Sequence, residues 1–349
     1  MDDSATIQSL SIPGTHDSLA WNVTGIAASF TKTQDLPLFK QLDAGVRFID
    51  LRVGETNGMI NLYHGAVQLD ETAQLVDVFW GLYKWLDTHP TETVIVSVKV
   101  DNGNSTATLE QSIHDLVTGQ DVADYWVQST TLPTLGAARH KAILLRRFAF
   151  DLIPEATPVG IDASSGWSDN LAAFTISYSA TNDLLYIEDF YNVGASDLPS
   201  AVDAKFGALS ANLDLATTGS DTNQLYISFA SGYSGITVTP QLLAVGNGTD
   251  VPGVNSKAIS YLAGKRGSRF GVVLFDFIGS DTRLVPATLS QQVDAAALPS
   301  SASGASGASS TTTVRRNSAG PSASFSLPVK ALAATLSISV ASLLSVLVL

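Results

Sequence analysis

Short apolar, β-branched runs recur along the first 290 or so residues, at 9–12, 46–53, 59–63, 93–100, 141–148, 184–190, 224–229 and 269–278. Several are almost unbroken, as in Val94-Ile95-Val96-Ser97-Val98. A strand that lacks polar alternation is buried on both faces, which points to a parallel sheet. Helical patterning fills several of the gaps. Residues 72–87 place Leu75, Phe79, Leu82 and Leu86 on one stripe, and His89-Pro90 ends that helix. About eight strands with helical crossovers predict an α/β fold, a single-domain TIM-type (β/α) barrel rather than an open doubly wound sheet. The run at 59–63 follows its predecessor too closely for a helix to intervene, so the barrel is expected to be irregular.

The pattern changes near residue 296. Between 300 and 313 every residue is Ser, Ala, Gly or Thr, a composition that cannot offset the entropy of ordering. The expected organisation is therefore a barrel over 1–295, a flexible stalk over 296–326 and a hydrophobic segment over 327–349. Residues 331–349 carry no charge and are about as long as a membrane span. With the small residues Asn317-Ser318-Ala319 and a polar spacer before it, this end has the pattern of a glycosylphosphatidylinositol (GPI) attachment signal, with Asn317 as candidate site. A tail-anchored membrane protein and a secreted one are the rival readings. The start, Met1-Asp2-Asp3-Ser4, has neither the basic nor the apolar region of a signal peptide. An anchor on the extracellular face of the plasma membrane, or on the cell wall, thus requires a precursor that extends upstream of Met1.

Charge narrows the function. With 32 acidic and 19 basic residues the net charge is −13, which repels phosphate backbones and argues against nucleic-acid partners. The absence of cysteine excludes disulfides, thiolate zinc sites and cysteine nucleophiles.

In a parallel barrel the reacting groups come from the carboxyl ends of the strands. The first run leads into Ser11-Ile12-Pro13-Gly14-Thr15-His16-Asp17-Ser18, where Pro and Gly are expected to end the strand and deliver His16 and Asp17. The second closes on Asp50 and Arg52, two apart and so on one face. The others close on His64, on Lys99 and Asp101, on Arg146-Arg147, on Glu188-Asp189 with Tyr191, and on Asp276. Singly, each has an ordinary structural reading. Together, two histidines, cations and carboxylates at the same strand ends suit cleavage of a phosphodiester, with one imidazole as base, the other as acid and arginine on the phosphorus oxygens. A metal site built from His16, Asp17, Asp50 and His64 competes with this, and Arg52 among them argues against it. His89, His114 and His140 are read as surface residues.

These motifs, in this order over residues 9–285, resemble the X-domain family of phosphatidylinositol-specific phospholipases C, in its bacterial-type, metal-independent branch. The resemblance implies that His16 is the general base on the inositol 2-hydroxyl, oriented by Asp276. His64, partnered by Asp17, is the general acid on the diacylglycerol oxygen. Arg52 binds the phosphate with Asp50 nearby, and Lys99, Arg147, Asp189 and Tyr191 hold the inositol ring. It also implies transphosphorylation to a cyclic inositol phosphate, slower hydrolysis of that product, no metal or other cofactor, and no obligate protein partner. The substrate is then an inositol phospholipid presented at a membrane surface. Asp101 departs from the family pattern, which has Glu there. The alternatives are a phosphodiesterase for another inositol- or glycerol-containing lipid, or a surface barrel that binds inositol without turnover.

Overall fold

A computed structural model describes residues 1–291, apart from 26, 220–222 and 249. The stalk, the hydrophobic segment and Asn317 lie outside the described residues. Among the described residues no helix is long and apolar enough to cross a membrane.

Eleven strands form one sheet: β1 (Ser11–Thr15), β2 (Phe48–Thr56), β3 (Met59–His64), β4 (Val67–Gln68), β5 (Thr93–Asn102), β6 (Lys141–Arg146), β7 (Ile161–Asp162), β8 (Phe174–Ser177), β9 (Leu184–Glu188), β10 (Leu225–Phe229) and β11 (Gly271–Phe275). The order across it is β7-β6-β5-β2-β1-β11-β10-β9-β8. All neighbours are parallel except β8, which runs antiparallel to β9. The hairpin strand β3 pairs antiparallel with the far end of β2, as its closeness in sequence requires. Among the described residues no ladder joins β7 to β8, so the sheet curls into a distorted barrel with an unpaired seam.

Side chains alternate across this sheet. Ile12, Phe48, Ile95, Ile143, Leu145, Leu185, Ile187, Leu225, Ile227, Phe229, Val272 and Leu274 fill one apolar cluster inside the barrel. Their neighbours Ile49, Leu51, Val94, Val96, Val98, Ala142, Leu144, Val273 and Phe275 pack on the other face, against the helices. Both faces of the strands are therefore dry, which is why the runs read as continuous.

Pro13 and Gly14 do not end the first strand; they lie inside it, between β11 and β2. The reason is packing at Gly14, where a Cβ would stand 3.1 Å from both Leu274 Cγ and Phe48 Cβ. Glycine here allows three parallel strands to meet closely under the histidine that follows. The helix Leu75–Thr88 forms as the stripe predicts, with Gln74 and Asp77 closing a capping box and Pro90 just beyond its end.

Candidate active site

Continuing the inward series past the last apolar residue of each strand gives the site. It runs Ile12, Gly14, His16 on β1 and Phe48, Asp50, Arg52 on β2. On β5 it is Ile95, Ser97, Lys99, then Leu145, Arg147 after β6, Ile187, Asp189 after β9, and Leu274, Asp276 after β11. The same alternation turns the adjacent charges outward. Arg146 is buried against the carbonyls of Val159 and Phe148 and against Asp162, and Glu188 pairs with Lys205.

His16 is held at both ring nitrogens. Nδ1 lies 2.8 Å from Asp276 Oδ1, and Nε2 lies 2.7 Å from an Arg52 Nη2. Guanidinium can only donate, so Nε2 is the lone-pair nitrogen and Nδ1–H donates to Asp276. Burial, and then the charge of Arg52, hold the imidazole pKa well below its ordinary value, while burial pushes the Asp276 carboxyl well above its own. The ring is thus a neutral base with its tautomer fixed.

His64 closes β3, its ring centroid 6.2 Å from that of His16 and nearly perpendicular to it. Asp17 Oδ2 stands 3.2 Å from His64 Nδ1, but the main-chain carbonyl of Thr31 is nearer, at 2.7 Å, and takes the hydrogen bond. Asp17, the partner that the resemblance implied, thus stands beside His64 as an ion-pair neighbour, while the hydrogen bond goes to Thr31. Asp17 is buried in a left-handed turn (φ 44°), and burial outweighs Arg52 and His64 to push its carboxyl up to about 6.

Arg52 sits among three carboxylates: Nε is 3.3 Å from Asp50 and 3.4 Å from Asp17, and an Nη1 is 3.6 Å from Asp101. Burial opposes its charge, yet these acids hold it protonated more firmly than in water. The guanidinium fills the space that a cation would need between them, and among the described residues no carboxylate–histidine group is arranged to hold a metal ion. Asp101 is the extra residue of a bulge between β2 and β5, which swings its carboxylate toward Lys99 at 2.5 Å and the Gly65 amide at 2.6 Å. Burial works against its charge, but Arg52 and Lys99 keep it well below the carboxylate range.

The other half of the site is built on Arg147. Its guanidinium lies 3.7 Å from the centroid of the Trp167 ring, with one Nη2 3.6 Å from Asp189 Oδ2. Burial lowers its pKa, and its Nε and Nη1 have no hydrogen-bond partner. Trp167 also donates its indole N–H to Asp189 at 2.8 Å. Tyr191 stands apart from this network: its hydroxyl donates to Asp169, and its ring lies 6.1 Å from Tyr233. His114, expected at the surface, is only 9% exposed and bonds the Thr157 carbonyl, because its helix turns that face inward.

Residues 10–148 match the family model "Phosphatidylinositol-specific phospholipase C, X domain". Over these residues the chain is similar to that family. The chain resembles the 1-phosphatidylinositol phosphodiesterase of Listeria monocytogenes, 32% identical over 42% of this chain and 46% of that one, so the alignment spans about half of that relative. The enzyme of the same name from Staphylococcus aureus is 28% identical over 67% of this chain and 74% of its own. Among solved structures, the phosphatidylinositol-specific phospholipase C of L. monocytogenes superposes with a TM-score of 0.63 at 25% identity, over 83% of this chain and 96% of that one. A variant of the S. aureus enzyme gives 0.69 at 22% identity, over 82% and 95%. The family match ends near β6, so Asp189, Tyr191 and Asp276 fall beyond it. Trp167 and the Thr31 carbonyl escaped sequence reasoning. A main-chain acceptor has no side-chain signature, and Trp167 lies in a polar loop with no motif around it.

Proposed function

We propose that this X domain cleaves phosphatidylinositol, or a closely related inositol phospholipid, to diacylglycerol and inositol 1,2-cyclic phosphate. The observation that carries the reading is the placement of His16: a neutral imidazole fixed by Asp276, its free nitrogen against Arg52, with a second histidine facing it. An incoming phosphate draws the Arg52 guanidinium to its own oxygens, which uncovers His16 Nε2. That nitrogen takes the proton of the inositol 2-hydroxyl, whose oxygen attacks phosphorus. The bond from phosphorus to the glycerol oxygen breaks, and His64 Nε2–H protonates the leaving oxygen, with Asp17 stabilising the imidazolium. Asp50 and Asp101 keep Arg52 aimed. Lys99, Arg147 and Asp189 face the inositol hydroxyls, with Tyr191 at the rim.

Incubating the protein with phosphatidylinositol vesicles in EDTA, and following phosphorus by NMR, tests this. Cyclic inositol phosphate is expected. Its absence, or activity that disappears only on chelation, overturns the reading.

The composition of the chain beyond residue 296 supports attachment to a membrane through a lipid at Asn317. Mass spectrometry of the native C-terminal peptide tests this. A peptide reading through Asn317 to Leu349 overturns it.

A further inference from the structure

We infer that the buried ion pair between Glu188 and Lys205 is a positioning device for the active site, acting through the ends of β9 and β10. The inference rests on the phospholipase reading for its kinetic consequence, though not for its structural one. Both side chains are fully buried, with Lys205 Nζ 2.6 Å from Glu188 Oε1. An interior pair of this kind gives little net stability, because desolvation offsets most of the Coulombic gain. What this one does is tie backbone together. Glu188 accepts the amide of Phe190 at 3.0 Å through one oxygen and that of Phe229 at 3.1 Å through the other, while Lys205 donates to the Phe190 carbonyl at 2.8 Å.

The residues so gripped are the supports of the site. Between Glu188 and Phe190 lies Asp189, whose inward carboxylate meets Arg147 and Trp167. The ring of Phe229 stands edge-on to His16 at 6.1 Å and to Trp167 at 6.4 Å. Lys205 comes from the helix Leu198–Thr218, and Asn212, seven residues on along the same face, bonds the Ile227 carbonyl and Ser228 Oγ. One helix thus fastens the ends of two adjacent strands from behind, and they present the ring-binding acid and the aromatic wall of the base. The Lys205 charge also acts favourably on the ionised form of Asp276, the partner of His16.

The test is the pair of substitutions Glu188→Met and Lys205→Met made together, which removes both charges and leaves neither stranded. The expected protein melts as a folded domain, with kcat/KM on phosphatidylinositol lowered about tenfold or more, since small displacements of catalytic groups cost up to about 10² in rate. The His16 ring proton resonance, set partly by the ring current of Phe229, shifts, and so does the pH at which that resonance titrates. A folded double variant with wild-type kinetics and an unmoved His16 resonance overturns the inference. Phe229→Leu leaves the ion pair intact and serves as the second variant. It is expected to move the His16 resonance and its titration in the same sense, and an unmoved resonance overturns the coupling through Phe229. Failure of the unsubstituted protein to turn over phosphatidylinositol counts against the phospholipase reading alone, because the His16 resonance still decides this one.

Discussion

Arg52 caps the lone-pair nitrogen of His16, Nη2 to Nε2 at 2.7 Å, while Asp276 holds the opposite side of the ring. In the proposed reaction this base stays covered until an anionic oxygen takes the guanidinium. Arg52→Lys keeps the charge but loses the planar fork that reaches Asp50 and His16 together. Turnover on phosphatidylinositol vesicles is expected to fall by about 10²–10³, the usual cost of losing one preorganised donor. Near-wild-type turnover would show that the fork is dispensable.

The two histidines separate by leaving group. His16→Ala is expected to lose about 10²–10⁴ in kcat on any substrate, because the attacking hydroxyl always needs its base. His64→Ala should lose as much on phosphatidylinositol but little on an inositol aryl phosphodiester, whose phenolate leaves without protonation. Equal losses for His64→Ala on both substrates would reject its role as the acid.

Asp17 links stability to function with opposite signs. Its carboxyl titrates near 6 in the folded protein against about 3.8 in a free chain, so between those values the folded state binds more protons. Stability is then lost as pH rises through this window, and above it the buried charge costs on the order of 3 kcal/mol. Asn adopts the left-handed turn at this position readily. Asp17→Asn is expected to raise the melting temperature at pH 7, with the gain fading as pH falls toward 4, and to lower kcat through His64. A melting temperature that drops at pH 7 contradicts this sign.

Trp167 covers Arg147 and occupies one oxygen of Asp189. Trp167→Phe keeps the stacked face and loses only the indole donor, so a modest rise in KM is expected. Trp167→Ala removes the wall and should raise KM for the lipid and Kd for free myo-inositol in parallel. Calorimetry with myo-inositol checks it, and unchanged affinity in the Ala variant would remove Trp167 from the pocket.

For His16, held well below its ordinary pKa by burial and Arg52, protonation should not silence the enzyme until the pH is well under 6.5. The acid limb of kcat/KM is then governed by Asp17 near 6, and it should move in Asp17→Asn. A limb that stays in place in that variant assigns it to another group.

The barrel was legible because its strands are dry on both faces, and the grouping of the candidate residues because the ends of parallel strands lie together. The limit of sequence reading shows at Arg146 and Arg147. Two adjacent arginines are indistinguishable until the alternation of Ile143 and Leu145 is known to face inward. The same alternation separates Asp189 from Glu188. The strands β7 and β8, two and four residues long, were not foreseen, since neither carries an apolar run of recognisable length. Pro13 and Gly14 read locally as a strand end, whereas close packing of three strands keeps them inside one.

The seam gives the fold its last property. Arg147 follows β6 on one side of it, Asp189 follows β9 on the other, and the loop bearing Trp167 runs from β7 to β8 across the gap. No backbone ladder closes the circumference there among the described residues, so the Arg147, Asp189 and Trp167 side chains lace it instead. Under the proposed function, a headgroup held by Arg147 and Asp189 acts as a rivet for the barrel. Occupancy of the pocket should slow amide hydrogen exchange along β6–β7 and β8–β9 more than along β1 and β11, which are already bonded on both sides.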